Sequence, residues 1–215
     1  GDGFDVCYRY VTYYYDQKKD EVNAQKYAAL GRKMYPGDTY YDKLDLDKAK
    51  KKGIGPELFK KYDEVIAKEP KDYEMRYDYA AEMFNWLYMD QKTPAAEKPT
   101  YFEKIVTQLK ACIELNPKEP DGHLLMGKAY FNEAAAIQDE LKLVKGSTPA
   151  DTQKKSEFKK KMEDKMKEAI PHLENGLAIY EAMTADQLKD KRNKNEYKTT
   201  LYLLTDANRF LGNTE

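Results

Sequence analysis

Proline closes helical runs at intervals along this sequence, and that feature limits the available folds most strongly. Apolar residues at helical spacing lead up to Pro36, Pro70 and Pro117, and a new helical run begins within a few residues of each. Proline lacks an amide proton and its ring clashes with the preceding turn, so each helix must stop there. Because a helix that restarts after so short a connection folds back on its neighbour, we expect antiparallel helix pairs.

The spacing of these prolines indicates a repeated unit. Pro36 and Pro70 are 34 residues apart, and Pro117 follows Pro70 at that period plus 13. Each second helix ends at a closing residue, which is Pro36, Pro70 or Pro117 and, in the fourth unit, Glu181. Small or apolar residues dominate the positions fifteen, twelve, eight and five before it. These positions hold Glu21, Ala24, Ala28 and Gly31; Gly55, Leu58, Tyr62 and Val65; Phe102, Ile105, Leu109 and Cys112; and Met166, Ala169, Leu173 and Gly176.

The first helix of each pair carries a second pattern. The segment HLLMGKAY places His123, Met126, Gly127 and Tyr130 in the frame W-x2-L-G-x2-Y, and YRYVTYYY, RYDYAAEM and LYLLTDAN match it in part. Both patterns, in this register, resemble the tetratricopeptide repeat (TPR). One helix fits poorly, because the frame puts Asp42 and Asp45 at apolar positions, and we expect it to be shifted or irregular.

The resemblance to the TPR family covers nearly the whole chain and implies an all-α fold. The expected architecture is a right-handed α-solenoid of TPR-like helix pairs that forms a single domain over residues 1–215. A C-terminal helix would cover the apolar end of the array, as the terminal unit of a solenoid must. The predicted repeats span 5–38, 39–72, 73–119 and 120–183, and the predicted capping helix spans 196–211.

Two insertions lengthen the third and fourth repeats. The first adds 13 residues around MDQKTPAAEKPT, whose prolines predict a loop, and Thr100 would begin the next helix. The second adds 30 residues to the fourth repeat, with a helix break predicted between Gly146 and Pro149. Apolar residues recur on one face of both flanking helices. We therefore predict an extended helical hairpin near 131–166.

Composition restricts the partners and the compartment. A formal charge of −1 gives no basic field over the whole chain, so nucleic acid is not an expected partner. No apolar run reaches the roughly 20 residues that span a bilayer. Cys7 and Cys112 are predicted to be buried free thiols. The chain begins with Gly1 rather than Met, which we interpret as a removed leader, so localisation leans to the periplasm or the exterior, with the cytoplasm as the alternative.

The sequence holds no recognisable catalytic or metal-binding motif. His123 and His172 fall within helical patterns and are predicted to be structural. Asp42, Asp45 and Asp47 lack the glycine and the downstream glutamate of an EF-hand loop, which indicates a surface acid cluster. We therefore predict no catalytic residue, cofactor or metal, and a protein that is not an enzyme.

The resemblance to TPR proteins also implies a binding site on the concave face, which is lined by the first helix of each repeat. Tyrosine is abundant, with 19 residues against 7 phenylalanines, and its ring combines apolar area with a hydrogen-bonding tip. In the predicted register the lining comprises Arg9, Tyr13, Tyr77, Phe84, Asn85 and Lys128. The competing interpretation is that these aromatic rings pack between repeats.

We thus expect a non-enzymatic scaffold that binds a protein or a peptide through its concave face. The alternative is a structural protein that self-assembles into a homo-oligomer through the extended hairpin near 131–166. The sequence identifies neither the partner nor the oligomeric state.

Overall fold

The protein is all-helical in the computed structural model, which describes residues 3–90 and 93–213, and the side chains from residue 6 onward. These residues form nine α-helices and contain no strand. The chain divides into two compact units, Gly1–Asp72 and Tyr73–Glu215, at the boundary between the second and third predicted repeats. No helix within the described residues is long and apolar enough to cross a membrane.

The first unit contains four helices. They are α1 (Gly3–Thr12), α2 (Glu21–Met34), α3 (Tyr40–Lys52) and α4 (Pro56–Lys68). A π-helical turn, Tyr13–Gln17, continues α1 without a break. The Asp20 carboxylate then accepts a hydrogen bond from the Asn23 amide at 3.0 Å and fixes the start of α2. Pro36 and Pro70 follow the ends of α2 and α4, as their sequence positions predict.

The second unit contains five helices. They are α5 (Tyr73–Phe84), α6 (Lys98–Leu115), α7 (Pro120–Leu143), α8 (Pro149–Glu181) and α9 (Lys191–Leu211). Another π-helical turn, Asn85–Met89, continues α5. Helix α6 begins two residues before the predicted Thr100, because Pro99 is well suited to a first helical turn. Helix α9 begins at Lys191 rather than 196, because the Asp190 carboxylate accepts hydrogen bonds from the amides of Arg192 and Asn193.

Each predicted repeat contains two helices that pack against each other. The pairs are α1 with α2, α3 with α4, α5 with α6, and α7 with α8. Fourteen of the sixteen positions that the period selects on the second helices are buried; the exceptions are Glu21, which is exposed, and Gly55, which is intermediate. The proline period therefore located both the helix pairs and the inward face of each second helix.

Two details of the sequence prediction are wrong. Helix α3 is regular, and Asp42 is buried in it, so it neither disturbs the helix nor belongs to the predicted surface acid cluster with Asp45 and Asp47. The Asp42 carboxylate lies 2.6 Å from the Lys68 ammonium and 3.7 Å from the Arg32 guanidinium, so paired cations compensate its burial. In α9 the buried residues are Thr200 and Ala207. Each lies one position before the residue that the LYLLTDAN pattern places inward, which is Leu201 or Asn208.

The longest pair, α7 and α8, forms the extended hairpin that the insertion predicts. The side chain of Thr148 and the carboxylate of Asp151 form a capping box that begins α8, whereas α7 ends at Leu143, before the expected Gly146. Near the base of the hairpin, a β-carbon on Gly127 would lie 2.5 Å from a methyl carbon of Leu173. Only glycine lets the two helices approach so closely.

Cys7 and Cys112 are buried and unpaired with each other, as expected. The Cys112 sulfur lies 3.8 Å from the backbone oxygen of Tyr73. Burial raises the pKa of the Cys112 thiol to about 12, which keeps it protonated and unreactive at neutral pH.

Truncating the predicted core should destabilise the protein strongly. Leu109 and Leu173 both have an exposed fraction of 0%, so Leu109→Ala or Leu173→Ala should each lower the free energy of unfolding by about 2 to 5 kcal/mol. Lys160→Ala, at an exposed position of α8, should change it by less than about 0.5 kcal/mol. Urea unfolding followed by circular dichroism measures all three, and equal losses would contradict the register.

Replacement by alanine should affect stability differently at two glycines of the α7–α8 hairpin. Gly127→Ala should destabilise by about 1 to 3 kcal/mol, because buried Leu173 cannot move away from the new β-carbon. Gly176→Ala is the matched control, since its nearest neighbour would be 3.6 Å away and alanine favours the helix by about 0.5 to 1 kcal/mol. Destabilisation by Gly176→Ala as large as by Gly127→Ala would rule out this close approach.

Candidate binding surface

The first unit exposes an aromatic stripe along α1 and the π-helical turn that follows it. Cys7 and Val11 are buried on the inner side of this segment, whereas Val6, Tyr10 and Tyr13 are among its most exposed apolar residues. The exposed three recur at the four- and three-residue spacing that places side chains on one helical face. The segment therefore presents apolar residues on both sides, although only one side packs into the core of this unit.

These residues enclose a shallow surface pocket. Val6, Arg9, Tyr10 and Tyr13 line a volume of about 510 Å³ whose accessible lining is mostly apolar. Tyr10 and Tyr13 remain 43% and 37% exposed. An apolar, tyrosine-lined depression offers area for an apolar side chain, and the hydroxyls of its exposed tyrosines can hydrogen-bond to a peptide backbone. We call these four residues the aromatic pocket.

Neighbouring rings hold the wall of the aromatic pocket in place. Tyr10 stacks on Tyr27 of α2 with ring centroids 4.7 Å apart, and Tyr14 stacks on the same ring at 5.6 Å. The ring of Tyr13 lies edge-on to Tyr14 at 5.2 Å, and the Lys18 ammonium lies 5.4 Å from the Tyr13 centroid. Rings fixed in this way lose little conformational entropy when a partner covers them.

Two of the predicted site residues lie in π-helical turns. In the first unit the turn carries the sequence YYYDQ and includes Tyr13, and in the second unit it carries NWLYM and begins at Asn85. A π-turn adds one residue per hydrogen-bonded ring, which rotates the following side chains relative to an α-helix, and such turns are frequent at functional sites. Both turns follow the first helix of a unit.

In the second unit Tyr77 and Lys128 join one polar network with residues of α9. The Lys128 ammonium donates to the Glu196 carboxylate at 2.9 Å, and the Arg192 guanidinium donates to the Asp121 carboxylate. Burial first, and the Asp121 carboxylate second, raise the pKa of Tyr77 to about 12, so its hydroxyl stays protonated. The network ties α7 to α9 with two partly exposed ion pairs, each worth up to about 1 kcal/mol.

Phe84 and Asn85 occupy different environments although they are adjacent. Phe84 is buried, and its ring centroid lies 5.0 Å from that of Tyr88. The Tyr88 hydroxyl donates to the Glu133 carboxylate at 3.0 Å, which fixes this contact against α7. Asn85 is exposed as the first residue of the π-turn. Phe84 is therefore placed as a core residue.

The six predicted residues thus fall into different surroundings within the two units. Arg9 and Tyr13 share the aromatic pocket, and Tyr77 and Lys128 share the polar network. Sequence reasoning missed Val6 and Tyr10 in the pocket. A helical wheel centred on Tyr13 would have found both, because they precede it by seven and three residues.

The two histidines face each other at the base of the hairpin. The ring centroids of His123 and His172 are 6.1 Å apart, and the Tyr130 ring stacks on His172 at 6.0 Å. Burial lowers the pKa of both imidazoles, and for His172 the positive charges of His123 and Lys110 lower it further. Their inward placement agrees with the structural role predicted for them.

No group of three or more His, Cys, Asp or Glu side chains within the described residues could hold a metal ion. Comparison of the sequence with protein-family models and with curated proteins yields no match. The interpretation of function therefore rests on the residues and their geometry.

Acid should destabilise the fold through the histidine pair. Both folded-state pKa values lie below the ordinary value of 6.5, so the unfolded chain binds more protons once the pH falls below 6.5. The contribution of the two neutral histidines to the free energy of unfolding is fully present above pH 6.5. It is lost as the pH falls below 6.5 and through the folded-state pKa values. Urea unfolding between pH 7.5 and 5 measures it, and the variant His123→Gln with His172→Gln should show a shallower decline. Equal slopes would exclude the pair as the source.

Proposed function

We propose that this chain is a non-enzymatic interaction scaffold that binds a protein or peptide segment through the first helices of its TPR-like repeats. The aromatic pocket on α1 is the observation that carries the proposal. An exposed tyrosine pair and an apolar neighbour form a surface that suits a short segment with one apolar side chain and a backbone carbonyl. The aromatic pocket is thus the proposed main contact.

The arrangement of helices in the second unit supports the α-solenoid part of the proposal. Helix α7 packs against α5 as well as α9, so the first helices of successive predicted repeats are neighbours in this unit, as they are in stacked helix pairs. Helix α9 also packs against α8, the position expected of a capping helix. The role of a cap is consistent with the two ion pairs that α9 makes to α7.

The distribution of polar chemistry supports a binding role over a catalytic one. The histidine rings lie against each other, Tyr130 stacks on His172, and the buried Cys112 thiol is held protonated. Lys128 is engaged in an ion pair with Glu196. A nucleophile or an acid–base pair would need access to a substrate, and burial limits that access for His123 and Cys112.

Substitution in the aromatic pocket should weaken partner binding without unfolding the protein. Peptides selected on the intact protein from a random display library provide a probe, because the natural partner is unidentified. The double variant Tyr10→Ala with Tyr13→Ala should weaken their binding at least about tenfold, the loss expected when two interface aromatics are truncated. Isothermal titration measures the affinities, and circular dichroism checks the fold.

Tyr202→Ala is the matched control, because Tyr202 is a 70% exposed tyrosine on α9 and lies outside the aromatic pocket. Its affinity should stay within about twofold of the unmodified protein. Selected peptides that bind the Tyr10/Tyr13 variant as tightly as the unmodified protein would remove the aromatic pocket from the proposal.

A further inference from the structure

The end of the α7–α8 hairpin carries a concentrated positive charge. Residues 142–161, which we call the basic tip, contain seven lysines and only two acidic residues, a net charge of +5. The whole chain has a formal charge of −1, so the rest of it carries −6. The chain as a whole is nearly neutral, which gives no reason to expect an anionic partner. Its charges are nevertheless unevenly distributed, and the basic tip is strongly positive.

Most of this positive charge is not neutralised within the hairpin. Lys142 pairs with Asp139 at 2.7 Å, and Lys155 donates to the Gly146 carbonyl at 2.7 Å. The remaining lysines of the basic tip form no ion pair with any described residue; these are Lys145, Lys154, Lys159, Lys160 and Lys161. Their ammonium groups are available to an external anion.

The two acidic residues of the basic tip are occupied by local hydrogen bonds. The Asp151 carboxylate accepts from the backbone amide of Thr148 at 3.1 Å and from its hydroxyl at 2.6 Å. The Glu157 carboxylate accepts from the Gln153 amide at 3.0 Å. These bonds serve the start and the first turns of α8, and the two carboxylates still leave the basic tip with a net charge of +5.

The basic tip stands clear of the packed part of the second unit. Met162 is the first buried residue of α8, and residues 145–150, which turn the chain, are all exposed. The 13 helical residues 149–161 extend about 20 Å at 1.5 Å per residue. Charges are screened over about 8 Å at physiological ionic strength, so the acidic residues beside the basic tip, such as Asp139, Glu163 and Asp164, are the ones near enough to oppose its approach to an anionic surface.

An exposed apolar side chain lies among these charges. Leu143, at the end of α7, is 77% exposed between Lys142 and Lys145. Lysines that surround an exposed leucine are typical of peripheral membrane contacts, where the ammonium groups meet anionic headgroups and the apolar side chain enters the boundary of the acyl chains. All seven cations are lysines, whose compact charge suits a diffuse anionic surface, whereas arginine favours bidentate recognition of single carboxylates.

We propose that the basic tip docks on an anionic membrane surface, with lysine ammonium groups on the lipid headgroups and Leu143 at the acyl boundary. An extended anionic plane fits a projecting end whose exposed lysines lie on successive turns of α8. The inference is independent of the aromatic pocket, which lies in the other unit. Failure of one would leave the other unaffected.

Vesicle sedimentation tests the proposal with the full chain. The protein should sediment with vesicles of phosphatidylcholine containing about 30% phosphatidylserine but not with phosphatidylcholine alone, and about 0.5 M salt should release it. The triple variant Lys145→Gln, Lys159→Gln and Lys160→Gln should bind the anionic vesicles at least about tenfold more weakly, given the contribution of each lysine near such a surface. Leu143→Ser should weaken binding to the anionic vesicles at low salt.

The matched control is the triple variant Lys118→Gln, Lys194→Gln and Lys198→Gln, which removes three exposed lysines outside the basic tip. Its binding should stay within about twofold of the unmodified protein. Equal losses in the two triple variants, or equal sedimentation with both kinds of vesicle, would overturn the proposal. Two further results would also overturn it. Binding of polyglutamate through the basic tip without vesicle binding would indicate an acidic polypeptide as the partner. A dimer in light scattering that depends on the basic tip would indicate a second copy of the chain.

Discussion

The close approach of α7 and α8 at Gly127 is the contact on which the second unit depends. Leu173 fills the space that a β-carbon would take, and the Ala169 carbonyl lies 3.6 Å from that point. Because α5, α6 and α9 all pack against α7, the position of α7 on α8 sets the positions of the others. The first unit uses the same device, since a β-carbon on Gly31 would overlap the buried ring of Tyr41. Each unit therefore holds a large side chain against a glycine.

Sequence periodicity predicted the helices well because their ends and inner faces are local properties. A proline ends a helix whatever surrounds it, and a residue such as Leu109 or Ala169 repeats at helical spacing because one face must be buried. The π-turns and the burial of Asp42 escaped prediction for the opposite reason. Asp42 is stable inside only because Lys68, 26 residues away, supplies a cation that no local pattern reveals.

The candidate site was harder to predict than the fold, because register gives the direction of a side chain but not the depth at which it lies. Phe84 and Asn85 are consecutive, yet the first is buried against Tyr88 and the second is exposed. Lys128 is only partly exposed, and Glu196, 68 residues later, binds its ammonium. Arg9 and Tyr13 are exposed on the surface of their unit, and their role in binding stays a prediction.

The two proposed surfaces use forces of different range, which determines how each would act. The aromatic pocket relies on dispersion and desolvation, which operate only at contact and respond weakly to salt. The basic tip relies on charges that attract an anionic surface over a Debye length and weaken as salt rises. The tip would therefore govern where the protein is held, and the pocket would govern which segment it retains. Selectivity must then come mainly from Tyr10, Tyr13 and Arg9, because lysines on an exposed helix recognise charge density and not shape.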